Sequence, residues 1–291
     1  MVEAGREPLV VVTHPDRPVG RGRKIYPAPI RLVAEELGLP CRQPEDVNAP
    51  EFVKWLEGEK VDAALVISFG QIFSPALLAA PRLGCFNLHG SLLPRHRGAA
   101  PVRHAILAGD EESGVTVIKM TAKMDAGPML LHRTLPIGPR EKGGELRERV
   151  ARLAGELVPE TLTRLAGGEL ELVEQDEKEA TYAGKLTREA GHLDWLQPAL
   201  EIDRMVRAFN PQPGAFTNYT LKRLKILEGT VEDFPSTADP GTLLSAGEEG
   251  IRVATGDVVY RITGVRPDGS RTMSAGEWVR GCRLVPDARF V

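Results

Sequence analysis

The segment Gly84–Pro101 constrains the fold of this chain more than any other part of its sequence. It begins as a short apolar strand, continues as a polar loop and ends at the start of a helix. Asn87 and His89 are two positions apart, and side chains with this spacing on a strand point to the same face. Gly90 and Gly98 allow sharp backbone turns at the two ends of the loop. An amide and an imidazole therefore lie side by side where the strand ends, and together they can stabilise a negatively charged oxygen and move a proton.

The first part of the chain alternates between short apolar runs and segments with helical periodicity. We predict strands at Pro8–Thr13, Val61–Ser68, Gly84–His89, Gly114–Met120 and Met129–Leu135. We predict helices at Pro29–Gly38, Pro50–Glu59, Pro75–Ala80, Pro101–Ala108 and Gly144–Ala166. Such alternation is typical of an α/β layer architecture, so we expect a mostly parallel sheet.

The composition changes at residue 169. Residues 169–187 are polar and acidic, which predicts a linker between a domain at 1–168 and a second domain at 188–291. In the second domain we predict a helix near Ala199–Phe209 and then short strands with frequent Gly, Pro and Asp turns. The predicted strands lie near Phe216–Tyr219, Leu224–Leu227, Gly250–Ala254 and Val258–Thr263. This pattern predicts a small β-barrel.

Asp125 follows the predicted strand Gly114–Met120, just as His89 ends an earlier one. Ligands of open α/β sheets bind outside the carboxyl ends of the strands, so Asn87, His89 and Asp125 could converge there. A carboxylate beside a histidine fixes the tautomer of the imidazole and raises its basicity. The three side chains suit transfer of an acyl group to an amine. Taken singly, Asn87 and Asp125 are more often turn residues, and a lone histidine such as His89 is more often structural than catalytic.

Composition excludes several other classes of protein. The three cysteines, Cys41, Cys85 and Cys282, are scattered and form no CxxC or Cys/His pattern, so we expect neither a disulfide framework nor a metal site. No apolar run approaches the length that spans a bilayer, and we expect a cytoplasmic protein. The formal net charge is −3, so any nucleic-acid surface must be local.

One local cationic surface is present near the N-terminus. The segment from His14 to Lys24 is rich in glycine and proline, which predicts an irregular loop. From Arg17 to Lys24 it contains four cations and no acid: Arg17, Arg21, Arg23 and Lys24. Arg95, Arg97 and Arg103 could extend this patch. The alternative is an ordinary solvated loop.

The sequence N-L-H-G-S-L-L-P-R-H-R-G-A-A-P resembles the active-site segment of the formyltransferases that use 10-formyltetrahydrofolate. The resemblance extends from Thr13 to the C-terminus and favours the methionyl-tRNA branch of that family, which has a similar basic loop. It implies a Rossmann-like sheet domain, a C-terminal OB-like β-barrel that supports tRNA, and no metal. It also implies a monomer whose substrates are 10-formyltetrahydrofolate and initiator methionyl-tRNA, whose amino group receives the formyl group.

The resemblance also implies roles for individual residues. Asn87 and His89 would polarise the formyl group, and Asp125 would orient the histidine and manage protons; the division of proton transfer between His89 and Asp125 stays open. Two segments would form the folate pocket, namely Ser91, Leu92, Leu93 and Pro94, with Val66–Ile72 as another wall. Arg17, Arg21, Arg23 and Lys24 would grip the acceptor end of the tRNA. Two alternatives remain: a formyltransferase that acts on a nucleotide-sugar amine, and a non-catalytic RNA-binding relative.

The sequence departs from the family at its N-terminus. Chains of the family begin with a strand and a Gly-Thr-Pro turn that lead into a helix. Residues Met1–Gly5 resemble the last turn of that helix. We therefore expect the true start to lie upstream, and we expect the strands beside the absent one to expose apolar surface.

Overall fold

A computed structural model describes residues 5, 7–19, 24–168, 170–282 and 288–291, without the side chains of Val19 and Lys24. Contacts between residues divide the chain into two compact units. The first comprises Met1–Gly98, Gly114–Thr134 and Ala151–Tyr182, and the second comprises Ala99–Ser113, Leu135–Val150 and Ala183–Val291.

Three helices of the first unit each begin with a proline: α1 (Pro29–Glu36), α2 (Pro50–Gly58) and α3 (Pro75–Ala79). Proline suits the first turn of a helix because the N–H that it lacks would have no partner there. After α1, Gly38 has a φ of +67°, in the left-handed region that favours glycine. All three predicted helices are confirmed to within two residues.

The first unit also contains short strands. They are β1 (Val11–Val12), β2 (Arg17–Val19), β3 (Lys24–Tyr26), β4 (Cys41–Arg42), β5 (Ala64–Val66), β6 (Cys85–His89) and β7 (Arg97–Gly98). Two longer strands follow, β8 (Glu112–Lys119) and β9 (Met129–Pro136). The predicted strands are thus present, although those at Pro8–Thr13 and Val61–Ser68 are shorter than expected.

The largest sheet of the first unit is mixed rather than mostly parallel. Its strand order is β5-β6-β8-β9, with β5 parallel to β6 and β8 antiparallel to β6. A separate pair is formed by β1 and β4, which run parallel. The prediction of a mostly parallel sheet is therefore confirmed in part: β5 and β6 are parallel, but the sheet is mixed. Alternation of apolar runs and helices does not encode the direction in which a strand returns.

Strands β1 and β5 each have one strand neighbour among the described residues. Both are half-buried along their length, whereas β6 is buried at four of its five positions. Large apolar side chains near these strands are exposed: Leu9, Ile30, Leu32, Val33, Leu37, Ile67 and Ile72. The prediction of exposed apolar surface near these strands is confirmed for the described residues.

The segment predicted as an irregular loop, His14 to Lys24, instead includes two strands. Strands β2 and β3 pair antiparallel, with Arg17 opposite Tyr26 and Pro18 opposite Ile25. The prediction was wrong because proline is tolerated in a strand that has a free edge. Residues 20–23, between the two strands, lie outside the described residues.

Four helices have residues in the second unit: α4 (Pro101–Ala108), α5 (Gly143–Gly167), α6 (Ala199–Ala208) and α7 (Ala275–Gly281). Helix α5 starts in the second unit and continues into the first. Helix α4 matches its predicted bounds and stops at Gly109, which has a φ of +75°. A short strand, β10 (Tyr182–Ala183), precedes a single turn of 3-10 helix at Glu189–Gly191.

The second unit is built on a sheet whose path is β11-β12-β15-β14-β13, with β16 beside β15. All of its pairs are antiparallel. Its strands are β11 (Ala215–Tyr219), β12 (Lys222–Pro235), β13 (Leu243–Gly247), β14 (Gly250–Ala254), β15 (Val258–Pro267) and β16 (Met273–Ser274). The four predicted strands are present, and β13 and β16 were not predicted.

The last residues of the chain bond to both ends of this strand path. Val291 exchanges two backbone hydrogen bonds with Asn218 of β11, at 2.7 and 3.1 Å. Leu243 N, at the start of β13, donates to Ala288 O at 3.0 Å, and Phe290 N donates to Gly241 O at 2.9 Å. Among the described residues, no helix is long and apolar enough to cross a bilayer.

Candidate active site

The place of β6 in the sheet fixes the positions of Asn87 and His89. Asn87 pairs with Val66 of β5 on one side and with Ile118 of β8 on the other, and His89 pairs with Thr116 of β8. His89 is 5% exposed, and Asn87 is half-buried. Two polar side chains at the end of a buried strand are thereby held on a rigid support.

The structure brings Asp125 to these two residues, as the sequence predicted. Asn87 Nδ2 donates to Asp125 Oδ1 at 3.2 Å. Asp125 Oδ2 lies 3.6 Å from His89 Nδ1 and accepts a hydrogen bond from Gly98 N at 2.9 Å. The carboxylate therefore contacts the strand end, the histidine and the loop that follows. The catalytic roles of the three side chains stay predictions.

The two ring nitrogens of His89 face different oxygen atoms. Nε2 lies 2.9 Å from the carbonyl oxygen of His96, which can only accept, so Nε2 bears a proton in this arrangement. Nδ1 faces the Asp125 carboxylate, and a second proton on the ring would be shared with it. Each ring nitrogen of His89 therefore faces an oxygen atom of the protein.

The predicted folate-binding segment is a loop held by one hydrogen bond within the loop and by two to Thr116 of β8. Ser91 Oγ donates to Arg95 O at 2.7 Å, and Thr116 Oγ1 donates to Ser91 O at 2.8 Å. Leu93 N donates to Thr116 Oγ1 at 3.1 Å. Ser91 and Leu93 are buried, whereas Leu92 and Pro94 are half-buried. The predicted contacts of these four residues with the folate stay a prediction.

The sequence suggested that Arg97 extends a cationic surface. The structure corrects this, because Arg97 is only 2% exposed. Its Nε and Nη2 donate to Gln175 Oε1 at 3.0 and 2.8 Å, and its Nη1 and Nη2 donate to the Glu177 carboxylate, both at 3.1 Å. Burial lowers the pKa of Arg97, but its hydrogen bonds to Glu177 and Tyr182 outweigh burial and raise it. Arg103 is half-buried, and Arg95 is exposed.

Gln175 is a site residue that sequence reasoning missed. It lies in the polar stretch predicted as a linker, yet it is 8% exposed and donates to the carbonyl oxygens of Asp125 and Gly127. The signal that could have found it is Arg97, since a buried arginine needs acceptors, but nothing in the local sequence shows that Arg97 is buried. The long separation in sequence between the two residues hid the pair.

The basic loop is described in part. Arg17 is exposed, and its Nη2 lies 3.4 Å from His14 Nδ1. Asp16 pairs with Arg31 at 2.5 Å, and hydrogen bonds from Gln43 and Ala28 lower the pKa of Asp16. Arg21, Arg23 and the side chain of Lys24 lie outside the described residues, so their predicted contact with tRNA stays a prediction.

Within the described ranges no group of three His, Cys, Asp or Glu side chains could hold a metal ion. The chemistry that the site does offer consists of an amide donor, an imidazole and a carboxylate around one point.

Comparison with known proteins agrees with this chemistry. The sequence matches the Formyl transferase family over residues 4–162 and the family described as Formyl transferase, C-terminal domain, over residues 185–283. It is 41% identical to a methionyl-tRNA formyltransferase of Geobacter metallireducens over 290 residues, which cover 100% of this chain and 93% of the relative. It is 40% identical to a methionyl-tRNA formyltransferase of Marinobacter nauticus, over 98% of this chain and 92% of the relative.

Solved structures with low sequence identity share the fold. HypX from Aquifex aeolicus, crystallised with tetrahydrofolic acid, aligns with a TM-score of 0.62 at 20% identity, over 96% of this chain and 50% of HypX. An N-formyltransferase from Helicobacter canadensis, in complex with folinic acid and dTDP-3-aminofucose, aligns with a TM-score of 0.61 at 17% identity, over 90% and 87% of the two chains. The extent and identity of the sequence matches show that the chain belongs to the methionyl-tRNA formyltransferase family.

Proposed function

We propose that this enzyme transfers a formyl group from 10-formyltetrahydrofolate to the amino group of initiator methionyl-tRNA. The products are tetrahydrofolate and N-formylmethionyl-tRNA. The observation that carries the proposal is the convergence of Asn87, His89 and Asp125 at the end of β6, in a chain of this family.

The reaction needs an oxyanion donor and a route for one proton. The neutral amine attacks the formyl carbon, and the carbonyl oxygen becomes negative in the tetrahedral intermediate. Asn87 donates to that oxygen. His89 would add a second donor there on releasing the bond of its Nε2 to His96 O. The bond between the formyl carbon and N10 of the folate then breaks. His89 and Asp125, which face each other across 3.6 Å, carry the proton from the attacking nitrogen to the leaving nitrogen. No covalent intermediate on the enzyme is required.

The donor site fits a flat heterocycle on an apolar wall. Leu92 and Pro94 offer half-buried apolar surface beside the three polar side chains. Ile67 and Ile72, in the segment that follows β5, are 51% and 73% exposed and are available as a second wall. We assign the binding of 10-formyltetrahydrofolate to these two segments.

We assign the tRNA to the basic loop and to the C-terminal region. Arg17, Arg21, Arg23 and Lys24 would contact phosphates and position the acceptor end. We further propose domains at 1–168 and 188–291 joined by residues 169–187, with an OB-like barrel in the second. The hydrogen bonds from residues 288–291 to both ends of the strand path support closure of that barrel. The proposed enzyme is a cytoplasmic monomer.

The test is an assay with 10-formyltetrahydrofolate and two acceptors, initiator methionyl-tRNA and a nucleotide-linked amino sugar. We expect formyl transfer to the tRNA, with a kcat/KM far above that for the sugar. Preference for the sugar would establish the alternative formyltransferase. Tight tRNA binding without any transfer would identify a non-catalytic relative.

A further inference from the structure

The side chain of Gln175 is buried and uses all of its hydrogen-bonding capacity. Its Nε2 donates to Asp125 O at 2.8 Å and to Gly127 O at 2.7 Å. Its Oε1 accepts from Arg97 Nε at 3.0 Å and from Arg97 Nη2 at 2.8 Å. A primary amide has two N–H donors and an oxygen with two lone pairs, so each is paired. The orientation of the amide is fixed, because guanidinium groups only donate and carbonyl groups only accept.

Gln175 bonds to the backbone of Asp125, the residue that supplies the carboxylate of the site. Asp125 has a φ of +50°, in the left-handed region that residues with a side chain rarely adopt. Its carboxylate is held by Asn87 Nδ2 and Gly98 N, and its backbone carbonyl is held by Gln175. Gln175 therefore secures the backbone in the conformation that points the carboxylate at Asn87 and His89.

The loop is confined on its other side by β8. A Cβ atom added to Gly127 would lie 1.8 Å from the carbonyl oxygen of Lys119, so the backbone of the loop passes directly over the end of that strand. Lys119 N also donates to Pro128 O at 2.9 Å. With β8 on one side and Gln175 bonding Asp125 and Gly127, the position of the carboxylate has little freedom.

We propose that Gln175 is a positioning residue for formyl transfer, which sets the Asp125 carboxylate against Asn87 and His89 through the two hydrogen bonds of its amide nitrogen. The inference rests on the proposed function for its catalytic consequence and on the observed contacts for its geometry. Gln175 touches neither reactant in this assignment. Arg97 in turn holds the amide oxygen, so the buried guanidinium sets the direction of the amide.

The proposed role requires the amide nitrogen of Gln175, so variants that lack this nitrogen test the role directly. Gln175→Glu keeps the length of the side chain and an acceptor for Arg97, but it places an oxygen against two carbonyl oxygens and loses both donors. Gln175→Met keeps a similar volume without charge and loses the same donors. Glu174→Gln is the matched control, because Glu174 directly precedes Gln175 in the chain and is exposed.

The experiment measures formyl transfer by the full chain of each variant, with thermal unfolding to establish that the variant is folded. We expect kcat to fall about tenfold to a hundredfold in Gln175→Glu and Gln175→Met, because a displaced catalytic group loses its alignment. The KM values for both substrates should stay within about threefold, as expected when an interaction of the transition state is lost. The midpoint of the pH profile of kcat should move, which a mere loss of active protein would not cause. Glu174→Gln should match the wild type in all three readouts.

A second readout does not depend on the function. The imidazole nitrogen chemical shifts of His89, measured by NMR in the free protein, should change in both Gln175 variants and stay unchanged in Glu174→Gln. If the wild type formylates tRNA but either folded Gln175 variant retains its kcat and pH profile, the inference is overturned. Failure of both variants to fold would also overturn it, because the residue would then support the fold rather than the site. If the wild type formylates no acceptor, the proposed function fails, and the NMR shifts still decide whether Gln175 positions the site.

Discussion

Asp125 Oδ1 accepts a hydrogen bond from Asn87 Nδ2 at 3.2 Å, although the two residues are 38 positions apart in the chain. The contact joins the end of β6 to the loop after β8. It orients an amide that would otherwise rotate, and it leaves the remaining N–H of Asn87 for a reactant. Because the two groups have different roles, we expect loss of the carboxylate and loss of the amide to affect kcat to different extents.

Replacement of Asp125 by Asn should lower kcat by about a hundredfold to ten-thousandfold, the usual contribution of a positioned acid or base. The asparagine has nearly the same shape but cannot accept a proton from His89, and its amide N–H groups would oppose the donors at Asn87 and Gly98. Single-turnover kinetics measures the chemical step, and filter binding measures tRNA affinity. We expect tRNA affinity to be nearly unchanged. A kcat within a few-fold of the wild type would exclude a proton-transfer role for Asp125.

Replacement of Asn87 by Ala should lower kcat by about a hundredfold to a thousandfold, the usual effect of losing one oxyanion donor, which corresponds to about 2.7–4 kcal/mol. The side chain is half-buried at the site, so its loss is not expected to unfold β6. The measurement is kcat at saturating folate donor and tRNA, with thermal unfolding as the control for folding. A loss of thermal stability large enough to account for the loss of kcat would indicate a structural residue instead.

Sequence patterns predicted the elements that carry the site, because local physical chemistry determines them. A proline at the first position specifies where α1, α2, α3 and α4 begin. The spacing of Asn87 and His89 specifies that they share a face of β6. The convergence of Asp125 with them follows from the ordinary placement of sites at strand ends.

Long-range features could not be predicted in the same way. The direction of β8 against β6 depends on how the chain returns, which no local pattern records. The burial of Arg97 depends on acceptors at Gln175 and Glu177, far along the chain. The acidic composition around Gln175 favours a solvated linker, and tertiary hydrogen bonds override that preference.

Cys85 should not react with iodoacetamide in the native protein. Its thiol is buried on β6, two residues before Asn87, and burial raises its pKa to about 12. The thiol therefore stays protonated at pH 8, and the reactive thiolate is scarce. Mass spectrometry after alkylation, native and in denaturant, measures the difference. Cys85→Ala should retain kcat within a few-fold; rapid native labelling of Cys85, or loss of turnover on its replacement, would point to a nucleophilic cysteine.

Asp257 should make the stability of the second unit depend on pH. Its Oδ1 accepts hydrogen bonds from the backbone N–H of Ala199, the first residue of α6, at 2.8 Å and from Val258 N at 2.7 Å. The hydrogen bond from Ala199 is the main cause that lowers the pKa of Asp257, and those from Val258 and Thr255 add to it. The pKa of Asp257 is therefore lower in the folded state than in the unfolded state, where it is about 3.9. The stabilisation is present above the unfolded pKa and is lost as the pH falls through the folded pKa.

Asp257→Ala should therefore lower the free energy of unfolding by about 1 kcal/mol at pH 7, the usual cost of a lost helix cap. The difference from the wild type should shrink as the pH is taken below 4. Urea unfolding at a series of pH values measures it. Asp233→Ala, at an exposed position of β12, is the control for loss of a carboxylate. A difference that stays constant down to pH 2 would show that the charge of Asp257 contributes nothing.

Neutralising the basic loop should weaken tRNA binding and reduce its dependence on salt. Each phosphate contact made by a cation releases bound counterions, which contributes about 0.7 to 0.9 to the slope of log K against log salt. Replacing Arg21, Arg23 and Lys24 by Gln should therefore reduce the magnitude of that slope by about two. The kcat at saturating tRNA should change little, because phosphate contacts position the substrate and do not touch the formyl group.

The control replaces three exposed arginines elsewhere in the first unit, Arg82, Arg133 and Arg164, by Gln. Both triple variants change the net charge equally, so a general electrostatic attraction between protein and tRNA would lower their affinities alike. Direct contact predicts a reduced slope in the loop variant and a nearly wild-type slope in the control. Equal slopes in all three proteins would show that the loop does not contact the tRNA. The acceptor end would then have to be positioned by cations elsewhere in the chain.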